Sequence, residues 1–201
     1  SYNAFLESVR IMLDEAETRY PGVKKYLWGH SMGGGIVVNY VLRRQPAIAG
    51  AVATGPLFKL AFAPPAFKVF LARIMKNIYP AFTEKAELDS DGISRDKNEV
   101  RKYNEDPFNH GKITAGTFFG FFEAGKWALE HAAELKLPLL LMHGTADRLT
   151  SPEGTKEFAA KAPQNLVTLK LWEGFYHELH NEPEPDRTQA INYIIDWLNA
   201  H

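Results

Sequence analysis

Cysteine is missing from this 201-residue chain, which excludes disulfides and thiolate-bound metals and leaves the redox compartment unrecorded. Long apolar runs are missing as well, since no stretch approaches the roughly 18 consecutive apolar residues of a membrane span. Charge of one sign is not in excess. A formal net charge of -1 gives no electrostatic footprint for nucleic acid or for an anionic membrane surface. No basic-then-apolar leader opens the chain; it starts on Ser1 rather than Met, and the expectation is that something upstream has been removed. Repeats and low-complexity tracts are absent too. The composition, 45% hydrophobic and 23% charged, suits one sizeable globular core.

The apolar spacing then reads as alternation. Tyr2, Phe5, Val9, Met12, Leu13 and Ala16 recur at helical intervals until Pro21-Gly22. A short apolar stretch, Val23 to Trp28, precedes a glycine cluster, a helical pattern over Gly34 to Arg44 and a strand-length run from Ala47 to Thr54. From Gly55 to Lys112 five prolines punctuate short helical pieces, and Asp96 with Glu99 reads as a capping box. Alternation then resumes: a helix over Thr114 to Leu135, a strand over Pro138 to Met142, a helix opened by Ser151-Pro152, a strand over Leu166 to Trp172 and a helix over Ala190 to Leu198. The pattern predicts a parallel sheet covered by helices. Residues 1–54 and 113–201 form the α/β core, and residues 55–112 form an insertion folded over it.

Gly29-His30-Ser31-Met32-Gly33 places G-x-S-x-G after a predicted strand and before a predicted helix. A serine at the top of such a turn is strained and exposed, and side chains at Gly29 or Gly33 are expected to collide with the neighbouring strand and helix. Its hydroxyl sits at a helix N-terminus, where the Met32 N–H would stabilise an oxyanion. The plainer reading is a tight glycine turn that packs or holds a phosphate. A nucleotide-phosphate loop does not fit, because no lysine follows the glycines.

A nucleophilic serine needs a histidine, and that histidine needs a carboxylate. Asp147 lies just beyond the Pro138–Met142 strand and His177 just beyond the Leu166–Trp172 strand, in the order Ser, Asp, His. Asp147 is also an ordinary turn residue. Glu173 is the second candidate acid, but it precedes the turn that presents the histidine. His177-Glu178-Leu179-His180 invites a metal, yet the zinc helix motif requires histidine where Asn181 stands, and Pro183 and Pro185 oppose a helix.

With these elements in order, the chain resembles the monoacylglycerol lipase and lysophospholipase branch of the α/β-hydrolases. The resemblance rests on GHSMGGG (29–35), SRDKNEVRKYNEDP (94–107), HGTADRLTSPEG (143–154) and YHELHNE (176–182). It implies an α/β-hydrolase fold with a helical cap, and Ser31, Asp147 and His177 as nucleophile, acid and base. Met32 would give one oxyanion hydrogen bond, and His30 and His180 would stand near the glycerol end. Phe58, Leu60, Phe62, Phe67, Phe70, Leu71 and Ile74 of the cap would face an acyl chain. No metal or organic cofactor is implied. A lipid monoester is the expected substrate, with lysophospholipid, short-chain ester, peptidase activity or non-catalytic lipid binding as alternatives. The cap is the expected place of transient contact with a membrane surface. The family also carries strands before the nucleophile turn, with a second oxyanion donor and a glycerol-contacting arginine, and these have no counterpart here. The expectation is a free edge along the Val23–Trp28 strand, met by a missing N-terminal polypeptide or by an edge-paired homodimer.

Overall fold

The computed structural model describes residues 1–79, 81–85 and 88–201. Its elements run α1 (Tyr2–Arg19), β1 (Tyr26–His30), α2 (Met32–Arg44), β2 (Gly50–Thr54), α3 (Ala66–Ile78), β3 (Thr83–Lys85), α4 (Lys97–Glu105), β4 (Lys112–Thr114), α5 (Ala115–Glu130), β5 (Leu139–Gly144), α6 (Pro152–Lys161), β6 (Val167–Trp172) and α7 (Asp186–Ala200). Short 3-10 turns occupy Ser90–Gly92, Ala132–Glu134 and Leu179–Asn181.

Four strands form one parallel sheet in the order β1-β2-β5-β6, and β3 pairs antiparallel with β4 in a separate ribbon. β5 is buried along its whole length, which is why Leu139 to Met142 reads as an unbroken apolar run rather than an alternating one. Its side chains divide by parity. Leu139 and Leu141 join Val38, Val41 and Phe158 in one core cluster, while Leu140 and Met142 join Ile194 and Trp197 in the other. Helices α2 and α5 therefore cover one face of the sheet and α7 the other. Asn39, fully buried on α2, donates to Gly35 O at 3.0 Å and Ala124 O at 3.1 Å, tying α2 to α5 without leaving its amide unpaired.

Parallel order puts the carboxyl ends of all four strands at one rim, and Ser31, Gly55, Asp147 and His177 follow those ends directly. Several boundaries differ from the sequence expectations, β2 starting at Gly50 rather than Ala47, α5 ending at Glu130 rather than Leu135 and α7 starting at Asp186 rather than Ala190. Two further details differ. β1 starts at Tyr26 rather than Val23, because Lys24 and Lys25 break the apolar run and pair with polar groups, Lys25 with Glu17 and Lys24 with the carbonyl of His201. Asp96 caps α4 by accepting from Asn98 N at 2.8 Å, but the return bond of a capping box is not made by Glu99. The Asp96 N–H donates to Ser94 Oγ at 2.9 Å, and Glu99 pairs with Lys102 and Arg187. Among the described residues β1 pairs with β2 alone and ends the sheet. No helix among the described residues is long and apolar enough to cross a membrane.

Candidate active site

Ser31 stands between β1 and α2 at φ 56°, ψ -120°, a region that costs a non-glycine residue on the order of 1–3 kcal/mol. The turn is over-determined by its backbone. Ser31 N donates to Thr54 O at 2.8 Å, and Ser31 O accepts from Gly35 N and Leu57 N, each at 3.0 Å. Gly29 is required as expected, since a Cβ there would lie 2.3 Å from Gly33 O. Gly33 is not required for that reason: a Cβ at Gly33 meets nothing within 4 Å, because its side-chain direction faces away from the strand. Met32 is the first residue of α2, so its N–H has no partner within the helix.

Asp147 lies in the turn after β5 and is buried. Its Oδ1 accepts from Leu149 N at 2.7 Å and Thr150 N at 3.0 Å, the turn-shaping bonds expected of an aspartate. Its Oδ2 lies 2.7 Å from His177 Nδ1, 3.0 Å from His143 Nε2 and 2.9 Å from Thr150 Oγ1. The turn-shaping backbone bonds and the histidine contacts are thus carried by different oxygens of one carboxylate. Burial works against its charge, but the hydrogen bonds from His143 and His177 outweigh burial and hold the carboxyl well below the usual aspartate range. Glu173 is exposed at the end of β6 and is not hydrogen-bonded to His177.

His177 is buried on the loop after β6. Its ring lies against Gly55, where an added Cβ would meet Nδ1 and Cε1 at 3.2 Å. With Nδ1 committed to Asp147, Nε2 is the nitrogen left for a serine. Among the described residues the Asp147–His177 contact is made while Ser31 Oγ makes no hydrogen bond of 3.5 Å or less.

His30 and His180 join the same cluster. The His30 ring is centred 4.6 Å from that of His177 and 5.1 Å from that of His180, and Trp28 meets His180 edge-on at 6.0 Å. His30 Nδ1 lies 3.0 Å from Thr54 Oγ1, while His30 Nε2 and His180 Nδ1 are buried without a partner among the described residues. Burial first, then the neighbouring histidines, keep His30 well below the usual imidazole value; burial likewise lowers His180.

Beside Ser31 and Met32 opens an apolar cavity of about 250 Å³. Phe58, Leu60 and Phe62 line it. Phe67, Phe70, Leu71 and Ile74 do not: they lie on the exposed side of α3, and that helix lines the cavity through Val69 and Ala72 instead. Much of the remaining wall comes from α5, through Phe118, Phe121 and Phe122. Apolar spacing marks α3 as amphipathic, with Phe67, Phe70, Leu71, Ile74 and Ile78 on one stripe, but it is the opposite, smaller-residue side that turns to the cavity, and spacing alone does not reveal that.

The histidine loop is held by a strap to which the sequence pattern alone gives no role. His177 N donates to Gly92 O at 3.3 Å, Glu178 N to Ile93 O at 2.7 Å, and Ser94 Oγ to Asn181 O at 2.7 Å. Arg95 bonds Glu182, which is fully buried, and the partly exposed Asp186, each at 2.6 Å, and stacks over Phe175 at 4.7 Å. Glu182 Oε1 in turn accepts from Tyr176 N at 2.6 Å, one residue before the histidine. A signal is present in the Ser94-Arg95-Asp96 run and in a glutamate between turn residues. Their partnership spans 87 residues of chain and has no local periodicity to reveal it. His143 and Thr150 are likewise partners of the carboxylate that the sequence motifs do not single out.

A family model described as "Serine aminopeptidase, S33" matches residues 1–184. An uncharacterized abhydrolase domain-containing protein of Dictyostelium discoideum is 30% identical over 96% of this chain, which spans 20% of that protein. The monoacylglycerol lipase of Mycolicibacterium smegmatis is 32% identical over 98% of the chain and 70% of its own length. The crystal structure of the Paleococcus ferrophilus monoacylglycerol lipase superposes with a TM-score of 0.92 at 31% identity, covering 100% of this chain and 76% of that one. On the family match, these similarities and the α/β-hydrolase architecture, the chain belongs to the serine aminopeptidase S33 family of hydrolases.

Proposed function

We propose that this chain carries the triad and acyl pocket of a serine carboxylic ester hydrolase acting on monoacylglycerols. The observation that carries the reading is the Asp147–His177 pair at 2.7 Å, at the same rim as a strained Ser31 that opens on an apolar cavity. His177 Nε2 takes the Ser31 proton as Oγ attacks the acyl carbonyl, and Asp147 holds the imidazolium at Nδ1. The Met32 N–H is one donor to the oxyanion. His177 returns the proton to the leaving glycerol oxygen, then activates water, which releases the fatty acid and restores Ser31. The serine–histidine bond forms when substrate is present, as catalytic hydrogen bonds are often long in unliganded enzymes.

The acyl chain enters the cavity lined by Phe58 and Phe62, and the glycerol end meets the unpartnered nitrogens of His30 and His180. Peptide cleavage is the second reading, prompted by the family description. It is less well supported, because an aminopeptidase needs an acidic group for the substrate amine. Glu84 is the one carboxylate among the described lining residues, and Lys59 and Lys85 share that lining. The same proposal keeps residues 55–112 as the cap. It assigns the outward face of α3, where Phe67, Phe70 and Ile78 are exposed, to transient contact with a lipid surface. It leaves the free edge of β1 as the place of an N-terminal polypeptide or a paired copy.

A fluorophosphonate probe tests the nucleophile, and release of glycerol from a monoacylglycerol tests the substrate. The folded wild-type chain is expected to label, and Ser31→Ala to lose turnover on the order of a million-fold. A folded wild-type chain that does not label favours a non-catalytic lipid-binding role. Faster turnover of a lysophospholipid, a short-chain ester or an aminoacyl amide reassigns the substrate.

A further inference from the structure

His143 is a polar residue in a strand that is otherwise a core run: it is fully buried on β5 behind Leu140, Leu141 and Met142. Its Nε2 faces two acceptors, Asp147 Oδ2 at 3.0 Å and Thr150 O at 3.2 Å, so this nitrogen carries a proton. Its Nδ1 lies 2.7 Å from Thr155 Oγ1 on α6, whose hydroxyl can donate to it and hold the tautomer. The ring thus bridges α6 and the one carboxylate oxygen that also binds His177.

We infer that His143 is a positioning residue that sets the proton affinity of His177 by competing with it for Asp147 Oδ2. This rests on the triad reading of the preceding subsection. Hydrogen bonds to a carboxylate favour its charge but draw that charge toward the donor, so less of it is left to stabilise a neighbouring imidazolium. His143 donates to the same oxygen as His177, whereas the Leu149 and Thr150 amides hold the other oxygen and fix the carboxylate's orientation. Removing His143 therefore changes the charge that His177 meets more than it changes where Asp147 points.

The remaining elements packed around His177 present mostly neutral or already paired groups. From β1 it meets His30, and from its own loop His180, flanked by Glu178 and Arg187. β2 presents Gly55, and the turn at Ser90–Gly92 presents the Gly92 carbonyl. The acids of that turn, Asp89 and Asp91, pair with Arg148 and Lys97. α6 reaches this cluster through His143, by the neutral Thr155. Burial, then the two neighbouring histidines, hold His30 well below the usual imidazole value.

The experiment follows the His177 imidazole by NMR titration in wild type and in His143→Leu, with the acid limb of kcat/KM measured alongside. In His143→Leu the His177 titration and the acid limb are expected to move up by about half to one pH unit, an about three- to tenfold loss of kcat/KM on the acid side. His143→Gln, which keeps a donor near the Nε2 position, is expected to return both toward wild type. If His143→Leu does not fold, His143→Asn, which keeps a partner for Thr155 but falls short of Asp147, reads the same shift. A folded variant whose His177 titration stays at the wild-type position overturns the inference, however much rate or stability it loses. The NMR titration needs no turnover and can be repeated on Ser31→Ala. Absence of ester hydrolysis would thus strike the proposed function without touching this result.

Discussion

Asp147 and the cavity beside Ser31 are held by opposite means. The carboxylate accepts from five donors, two backbone amides, Thr150 Oγ1, His143 Nε2 and His177 Nδ1, and its position follows from their directions. The cavity wall is mostly aromatic and aliphatic, much of it drawn from segments around Phe58, α3 and α5, and dispersion contacts carry no comparable directionality. Hydrogen bonds specify a geometry atom by atom; apolar burial specifies only that some side of each helix faces in. The first region should fail sharply when one atom is changed, and the second gradually.

Asp147→Asn offers the sharpest break. It keeps the shape of the turn but presents an amide to His177, and ester turnover is expected to fall about 10⁴-fold, by analogy with the loss of the acid in other serine triads. Turnover near wild type would return Asp147 to a purely turn-forming role. The same group shapes the acid stability profile. Its folded pKa is depressed, so its stabilisation is present above the unfolded value of about 3.9 and is lost as pH falls toward the folded value. Asp147→Asn should flatten that part of an acid unfolding curve.

Arg95→Leu tests whether the strap belongs with the directional half. It leaves Glu182 buried without its cation, which is expected to cost about 3 kcal/mol in denaturant unfolding, the low end for a broken buried pair because Arg95 is itself one-third exposed. Adding Glu182→Gln should recover part of that loss. A fully additive double variant would show that the two side chains are not coupled.

The smallest effects belong to the apolar half and separate its two faces. Phe118→Ala enlarges the cavity wall and is expected to lower long-chain relative to short-chain turnover by about tenfold. Phe70→Ser, on the exposed side of α3, should change stability and soluble-ester turnover by no more than about 0.5 kcal/mol. It should lower turnover of substrate presented on vesicles. An inverted order, with Phe70 governing chain length in solution, would mean that α3 turns its other face to the substrate.

The same asymmetry separates the features legible in the chain from those that are not. Gly29, Ser31 and the helix start at Met32 are neighbours in sequence, and the strain of the turn is a local property of φ and ψ. Asp147 and His177 can be placed because each follows a strand directly, and strands in a parallel sheet end at one rim. The lining of the cavity cannot be placed with the same precision, since α3 offers Phe67, Phe70, Leu71 and Ile74 on one side and Val69 and Ala72 on another. The motif suggests a steric role for both of its glycines, yet that role belongs to Gly29 and not to Gly33, because only the built backbone shows which Cβ direction is blocked.

The amino-acid order by itself determined the alternating core, the elbow at Ser31 and the placing of Asp147 and His177 just after later strands, all of which follow from short-range periodicity and turn chemistry. Tertiary structure alone decided that His143 shares the carboxylate of His177, that Arg95 reaches Glu182 and that α3 faces the cavity through its smaller residues. Each of these depends on the packing of surfaces far apart in the chain, and such packing leaves no repeating mark on either segment.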